Sequence, residues 1–229
     1  MHQDIKRGTG SQQDHLVRHA LRRAGLIAFG LLCLVAATPT AAEPQPILTT
    51  SLPVIREVLH AVGRAGPTAA WMAFCEQQPD ECAIDASEPA ELKLSRDSWS
   101  TLSDVNERVN RTILAVTDQE HWGAVDRWDY PDDGLGDCED IQLLKRRLLV
   151  QAGLPRRALR MTVVVDEQGE GHAVLMARTD HGDFILDNKR NAVLAWQQTG
   201  YQYVKREGDG SPAWVWLGNT VAPIVTANR

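Results

Sequence analysis

The chain has no apolar run long enough to cross a bilayer, no internal repeat, no low-complexity tract beyond its leader, and only four cysteines among 229 residues. It also lacks an excess of positive charge, with a net charge of −6. A spanning helix needs ~20 apolar residues, whereas the run Leu26 to Ala37 has twelve. An acidic chain is a poor nucleic-acid binder, because phosphate contacts require Lys and Arg. At 43% hydrophobic and 24% charged, the composition is that of a globular chain and excludes a disordered one.

The first 42 residues differ from the rest. Lys6, Arg7, Arg18, Arg22 and Arg23 precede the apolar run, and Pro39 and the small residues Thr40-Ala41-Ala42 follow it. That order is expected of a secretory signal peptide, residues 1–42, ahead of one domain, residues 43–229. An uncleaved amphipathic anchor is the alternative. Without 1–42, which contribute +3, the remainder carries −9.

Cys75, Cys82 and Cys138 then remain. In an oxidising compartment paired cysteines form disulfides, and a leftover one is a candidate reactive thiol. Cys75 and Cys82 lie seven residues apart around Pro79, so a small disulfide loop fits. The alternative is two unpaired cysteines at helix ends. Cys138 has no local partner in either case.

Helices are expected over 51–66, with Val54, Ile55, Val58, Leu59 and Val62 on one stripe, and over 68–78. A longer one is expected after Asp97 or Ser98, through Trp99, Leu102, Val105, Val109 and Ile113. Residues 117–137 read as a loop rich in Asp and Gly. A further helix is expected from Cys138 to Gln151, stopped by Gly153 and Pro155. Strands are expected over 161–165, 172–178, 183–187, 201–206 and 213–217, with a tight turn at Asp180-His181-Gly182. Helices first and antiparallel strands later indicate an α+β domain.

Cys138 stands after Gly134-Leu135-Gly136-Asp137, at the start of an amphipathic helix. Unpaired N–H groups and the positive end of the helix dipole favour a thiolate there. A buried structural cysteine is the bland alternative. A thiol nucleophile also needs a base and an orienting group. Beyond the leader the histidines are His60, His121, His172 and His181. His60 falls in the first helix and His181 at a hairpin tip, while His121 in the preceding loop stays in play. His172 opens a strand and Asp187 closes the next, so a hairpin about 180–182 makes them neighbours. The alternative is a cross-strand charge pair of modest worth.

The run Gly134-Leu135-Gly136-Asp137-Cys138-Glu139-Asp140 with Lys145, then Gly171-His172-Ala173-Val174-Leu175 and Leu186-Asp187-Asn188, resembles the active-site motifs of the bacterial transglutaminase-like cysteine peptidases. The resemblance covers roughly residues 50–205. It implies a papain-like, transglutaminase-type core, with N-terminal helices packed on an antiparallel sheet. Cys138 would be the nucleophile, His172 the general base and Asp187 its orienter. It also implies a periplasmic enzyme acting on a protein substrate, such as a cell-surface adhesin of biofilms, and a membrane-bound regulatory receptor. A calcium ion held at Asp137 and Glu139, with Asp140 a further candidate, is implied as well. Three carboxylates around one thiol would weaken it as a nucleophile unless a cation offset them, and such oxygens suit calcium. The plain alternative is that Asp137 and Asp140 are ordinary helix-start residues. Ile141 stands where the family usually has an aromatic, and the loop 128–133 is more acidic than expected. A transglutaminase-type acyl transferase would use the same triad, and a non-catalytic calcium- or protein-binding module would keep the fold without needing it.

Overall fold

The computed structural model describes residues 51–54, 57–210 and 214–218. The expected leader, 1–42, lies outside them. Five helices and nine strands follow in the order β1 (Ala61–Ala65), α1 (Ala69–Gln77), α2 (Pro79–Cys82), α3 (Arg96–Thr112), β2 (Leu114–Ala115), α4 (Asp118–His121), β3 (Leu135–Gly136) and α5 (Cys138–Gln151), then β4 (Leu159–Val165), β5 (Gly171–Thr179), β6 (Gly182–Asp187), β7 (Arg190–Ala195), β8 (Gln202–Glu207) and β9 (Trp214–Leu217). The seven longer strands form one antiparallel sheet in the order β1-β9-β8-β4-β5-β6-β7. β2 and β3 form a separate parallel pair. The fold is therefore α+β, with helices against an antiparallel sheet, as the order of elements in the sequence led us to expect.

Local chemistry accounts for the helix boundaries. Thr68 caps α1 by accepting the Trp71 N–H. Ser95 and Ser98 form a capping box that starts α3 ahead of the expected position. α5 has the expected bounds, closed by Gly153 in the left-handed region at φ 90°. The main core lies between one sheet face and the helices, where Leu102, Leu143, Leu149, Met161 and Leu175 are fully buried. Each such side chain stabilises the fold by ~1.5–3 kcal/mol. α5 packs on β5 and on α3, so the helix that begins at Cys138 lies across the strand that begins next to His172.

Residues 51–66 correct the expected first helix. Residues 61–65 form β1 on the sheet edge, paired with β9, and the described residues of 51–60 carry no regular structure. The apolar stripe has no helical face to serve: Val54 and Val62 are exposed. Leu59 packs on the second sheet face beside Val174, Met176 and Tyr203, and its N–H donates to Asp183 Oδ2 at 2.7 Å. Gly63, Gly66 and Pro67 disfavour a helix, and the open edge of β9 supplies the competing pairing. β7 is a second departure from expectation. Its polar start gives no strand pattern, and it is held by pairing to β6 across a bulge.

The Cys75–Cys82 disulfide is present, with Cα atoms 5.6 Å apart, joining the end of α1 to the end of α2.

Candidate active site

The site lies where α5 begins and the β5–β6 hairpin ends. The hairpin turns through Asp180 and His181, with Thr179 paired to Gly182. Continued by one residue, that register sets Asp187 opposite Val174, diagonal to His172 on the same sheet face. His172 Nε2 and Asp187 Oδ1 are 2.8 Å apart, and both residues are buried. The second carboxylate oxygen accepts the Tyr201 hydroxyl at 2.5 Å, and Oδ1 also accepts the Lys189 N–H at 3.0 Å. Burial alone would raise the Asp187 pKa. The hydrogen bond and charge of His172, with the Tyr201 hydroxyl and the Lys189 N–H, outweigh it and hold Asp187 at about 2. Tyr201 also packs edge-on against the His172 ring. His172 Nδ1 is buried without a hydrogen-bond partner.

Cys138 is the free cysteine among the described residues and is fully buried. Its Sγ accepts the Ala173 N–H at 3.4 Å, placing the sulfur beside the residue that follows His172. Its own proton points to Glu139 Oε2 at 3.0 Å, so the hydrogen bond made by the thiol is to a carboxylate and not to His172. Burial, then the charges of Glu139 and Asp137 and the Glu139 hydrogen bond, push the thiol pKa well above its usual value, while the Ala173 N–H opposes them.

The glycines before Cys138 have a steric role. Gly134 sits in the left-handed region at φ 89°. A Cβ on Gly136 would lie 2.9 Å from Asp140 Cβ and 3.0 Å from Pro131 Cβ. Gly136 thus lets the loop press against the first turn of α5, where Asp140 accepts the Asp129 N–H at 2.8 Å.

Asp137 stands at the N-cap of α5, but its side chain makes no capping hydrogen bond. It turns into a buried acidic cluster instead. Asp137, Asp140 and Asp118 bring ligand atoms within 4.8 Å of one another, as do Asp118, Asp126 and Glu139, and Asp137, Glu139 and the Cys138 sulfur. The sequence reading named Asp137, Glu139 and Asp140 but missed Asp118 and Asp126. Both sit in the segment read as loop, where an unusual density of Asp was the available signal. Asp118 starts the short helix α4 and accepts the Arg127 N–H. Asp126 accepts the Trp128 indole N–H at 3.1 Å.

Packing these carboxyls together makes each harder to ionise. Burial, then the Asp118 charge, raises Asp137 to about 7. Burial raises Asp140 to about 8 against the pull of the Asp129 N–H, helped by Asp137 and Asp118. Burial and the Asp137 charge push Glu139 well up. Both Asp137 oxygens and Glu139 Oε1 are buried without a donor at bonding geometry. Orphaned, mutually repelling oxygens fit a hard divalent cation, so the cluster can hold a metal.

The remaining histidines fall outside this arrangement. His121 bonds Asp133 at 2.9 Å. His181, at the hairpin tip, bonds the Pro53 carbonyl oxygen at 3.2 Å. His60 is exposed.

A cysteine at a helix start, against a strand whose histidine is bonded to an aspartate, is the arrangement of a transglutaminase-like thiol enzyme. Residues 62–221 match the model of the bacterial transglutaminase-like cysteine proteinases, BTLCP, and the chain belongs to that family. Among solved structures it is similar to Legionella pneumophila LapG, at 29% identity over 52% of this chain and 66% of that one, with a TM-score of 0.43. The calcium-bound form of LapG is similar at 27% identity over 56% and 75%, and the EGTA-treated form at 28% over 56% and 71%, each with a TM-score of 0.43. The chain spans just under two thirds of the first of these. No curated protein matches it.

Proposed function

We propose that this cysteine peptidase is an exported endopeptidase that hydrolyses a protein substrate through Cys138, His172 and Asp187, with calcium held by the acidic cluster. The observation that carries the reading is the buried His172–Asp187 hydrogen bond beside the Cys138 sulfur. Asp187 holds one imidazole nitrogen, leaving Nδ1 for the thiol proton. The thiolate then attacks the scissile carbonyl carbon. As the C–N bond breaks, the leaving amine takes the proton from His172. Water, deprotonated by His172, cleaves the thioester and restores the thiol.

With its proton held in a hydrogen bond to Glu139, Cys138 stays a thiol and is a weak nucleophile. A cation at Asp137, Glu139 and Asp140, with Asp118 and Asp126 completing the oxygen set, would supply the positive charge that offsets the carboxylates. Glu139 oxygens engaged there would release the thiol proton toward His172.

A periplasmic location, a surface adhesin as substrate and a membrane-bound regulator complete the proposal; they rest on the leader composition and the family resemblance. The test is new peptide N-termini, identified by mass spectrometry, after incubating the chain with outer-surface protein extract in calcium. Cleavage by the native chain and none by Cys138→Ala is expected. Equal cleavage by both would overturn the assignment.

A further inference from the structure

Tyr201 immediately precedes β8, and its neighbour Gln202 pairs with Val165 at the end of β4. β4 separates β8 from the β5–β6 hairpin, so Tyr201 reaches His172 and Asp187 across an intervening strand. It lies on the second sheet face with Val164 and Val174. Thr199 ties down the turn that brings it there. The Thr199 hydroxyl accepts the Tyr201 N–H at 3.2 Å and donates to the Trp196 carbonyl oxygen at 2.9 Å.

One side chain then touches two members of the reacting set. The Tyr201 hydroxyl donates to Asp187 Oδ2 at 2.5 Å, the length of a strong bond to an ionised acceptor. The ring stands edge-on to His172, with centroids 5.8 Å apart and planes at 81°. The two oxygens of Asp187 have separate partners. Oδ1 takes His172 Nε2 and the Lys189 N–H. Among the described residues, the hydrogen bond to Oδ2 comes from Tyr201. A buried carboxylate oxygen without a donor is costly, and a carboxylate anchored at one oxygen is free to rotate about the other.

We propose that Tyr201 is a positioning residue: its hydroxyl anchors the far oxygen of Asp187 and its ring limits the tilt of His172, so that the imidazole is held through two contacts with Nδ1 left free. Burial, then the Asp187 hydrogen bond and charge, push the phenol pKa well above its usual value. Tyr201 is therefore a fixed donor that takes no proton in the chemistry. Arg190, which lies over the Tyr201 ring, is itself paired with Glu167. His172 and the Lys189 N–H still face Asp187 when the hydroxyl is removed, so the expected loss is of orientation and not of charge. The proposal rests on Cys138, His172 and Asp187 being the reacting set.

Two measurements on the full chain in excess calcium test it. The first is the rate of iodoacetamide alkylation at Cys138. Tyr201→Phe, which keeps the ring, should slow it about tenfold, and Tyr201→Leu, which removes both contacts, should slow it further. The second is the His172 Nε2–H proton resonance. Its exchange with water should be about tenfold faster in Tyr201→Phe than in the native chain, because the bond to Asp187 opens more often. Val204→Ala is the control, since Val204 lies in the main core on the opposite sheet face. It weakens the packing of β8 without touching the set, and should leave both readouts native. Native values of both readouts in Tyr201→Phe, or equal changes in Val204→Ala, would overturn the proposal. Should Tyr201→Phe fail to fold, the native chain decides: an exchange-protected, far-downfield Tyr201 hydroxyl proton is expected, and its absence would overturn the proposal. Failure of His172→Ala to slow alkylation would count against the reacting set, whereas a slow His172→Ala beside a native-rate Tyr201→Phe would count against Tyr201 alone.

Discussion

Stability of the metal-free protein should fall as pH rises from mildly acidic to neutral, and calcium should abolish that fall. Asp137 titrates at about 7 and Asp140 at about 8 in the folded chain, against ~3.9 for an unfolded aspartate. Between those limits the unfolded chain releases two protons that the folded chain keeps. Each group then costs on the order of 1 kcal/mol per pH unit, so the slope for the pair approaches roughly 2–3 kcal/mol per unit from pH ~5 to ~7. Two units amount to about 5 kcal/mol, much of a typical domain's stability. Glu139, Asp118 and Asp126, also raised chiefly by burial, act in the same direction, whereas Asp187 and Lys145 act elsewhere. Asp187, held at about 2, contributes stability above its unfolded value that is lost only as pH falls from ~4 toward its folded one. Lys145, lowered to about 7, adds stability with rising pH only above that point. Urea unfolding of chelator-stripped protein at several pH values, with and without excess calcium, measures the slope directly. A steep fall without metal and a nearly flat line with it are expected. Parallel lines would refute the acidic cluster as the cation site.

Gly136→Ala should destabilise the fold by about 1–3 kcal/mol in thermal or urea melts, because its Cβ would overlap Asp140 and Pro131, and it should weaken calcium binding measured by calorimetry. Asp187→Asn should fold but lose roughly 10²–10⁴ in kcat, since an amide cannot hold the imidazole as the carboxylate does. Asp118→Asn, which removes a charge remote in sequence from the motif, should weaken calcium binding at least tenfold while leaving the disulfide and far-UV spectrum unchanged.

The meeting of Cys138, His172 and Asp187, the proposed reacting set, was legible because each member is placed by local pattern. The glycine-rich approach and the amphipathic run mark the start of α5, and one tight turn fixes the pairing of β5 with β6. Their meeting needed only that the helix pack on the hairpin. The full acidic cluster was not legible. Asp118 and Asp126 reach it through α4 and the turn at Arg127, within a segment with no periodic signal. Residues 51–66 misled for the opposite reason: their apolar spacing suits a helix, but the edge of β9 offers backbone hydrogen bonds that no local pattern records.

His172 is expected to activate Cys138. The most direct test of this is the rate of iodoacetamide alkylation at Cys138, located by peptide mass mapping, in the native chain and in His172→Ala, both in calcium at neutral pH. A base of this kind contributes roughly 10²–10⁴-fold, so a drop of about a hundredfold or more is expected in the variant. Equal rates in the two proteins would contradict the account.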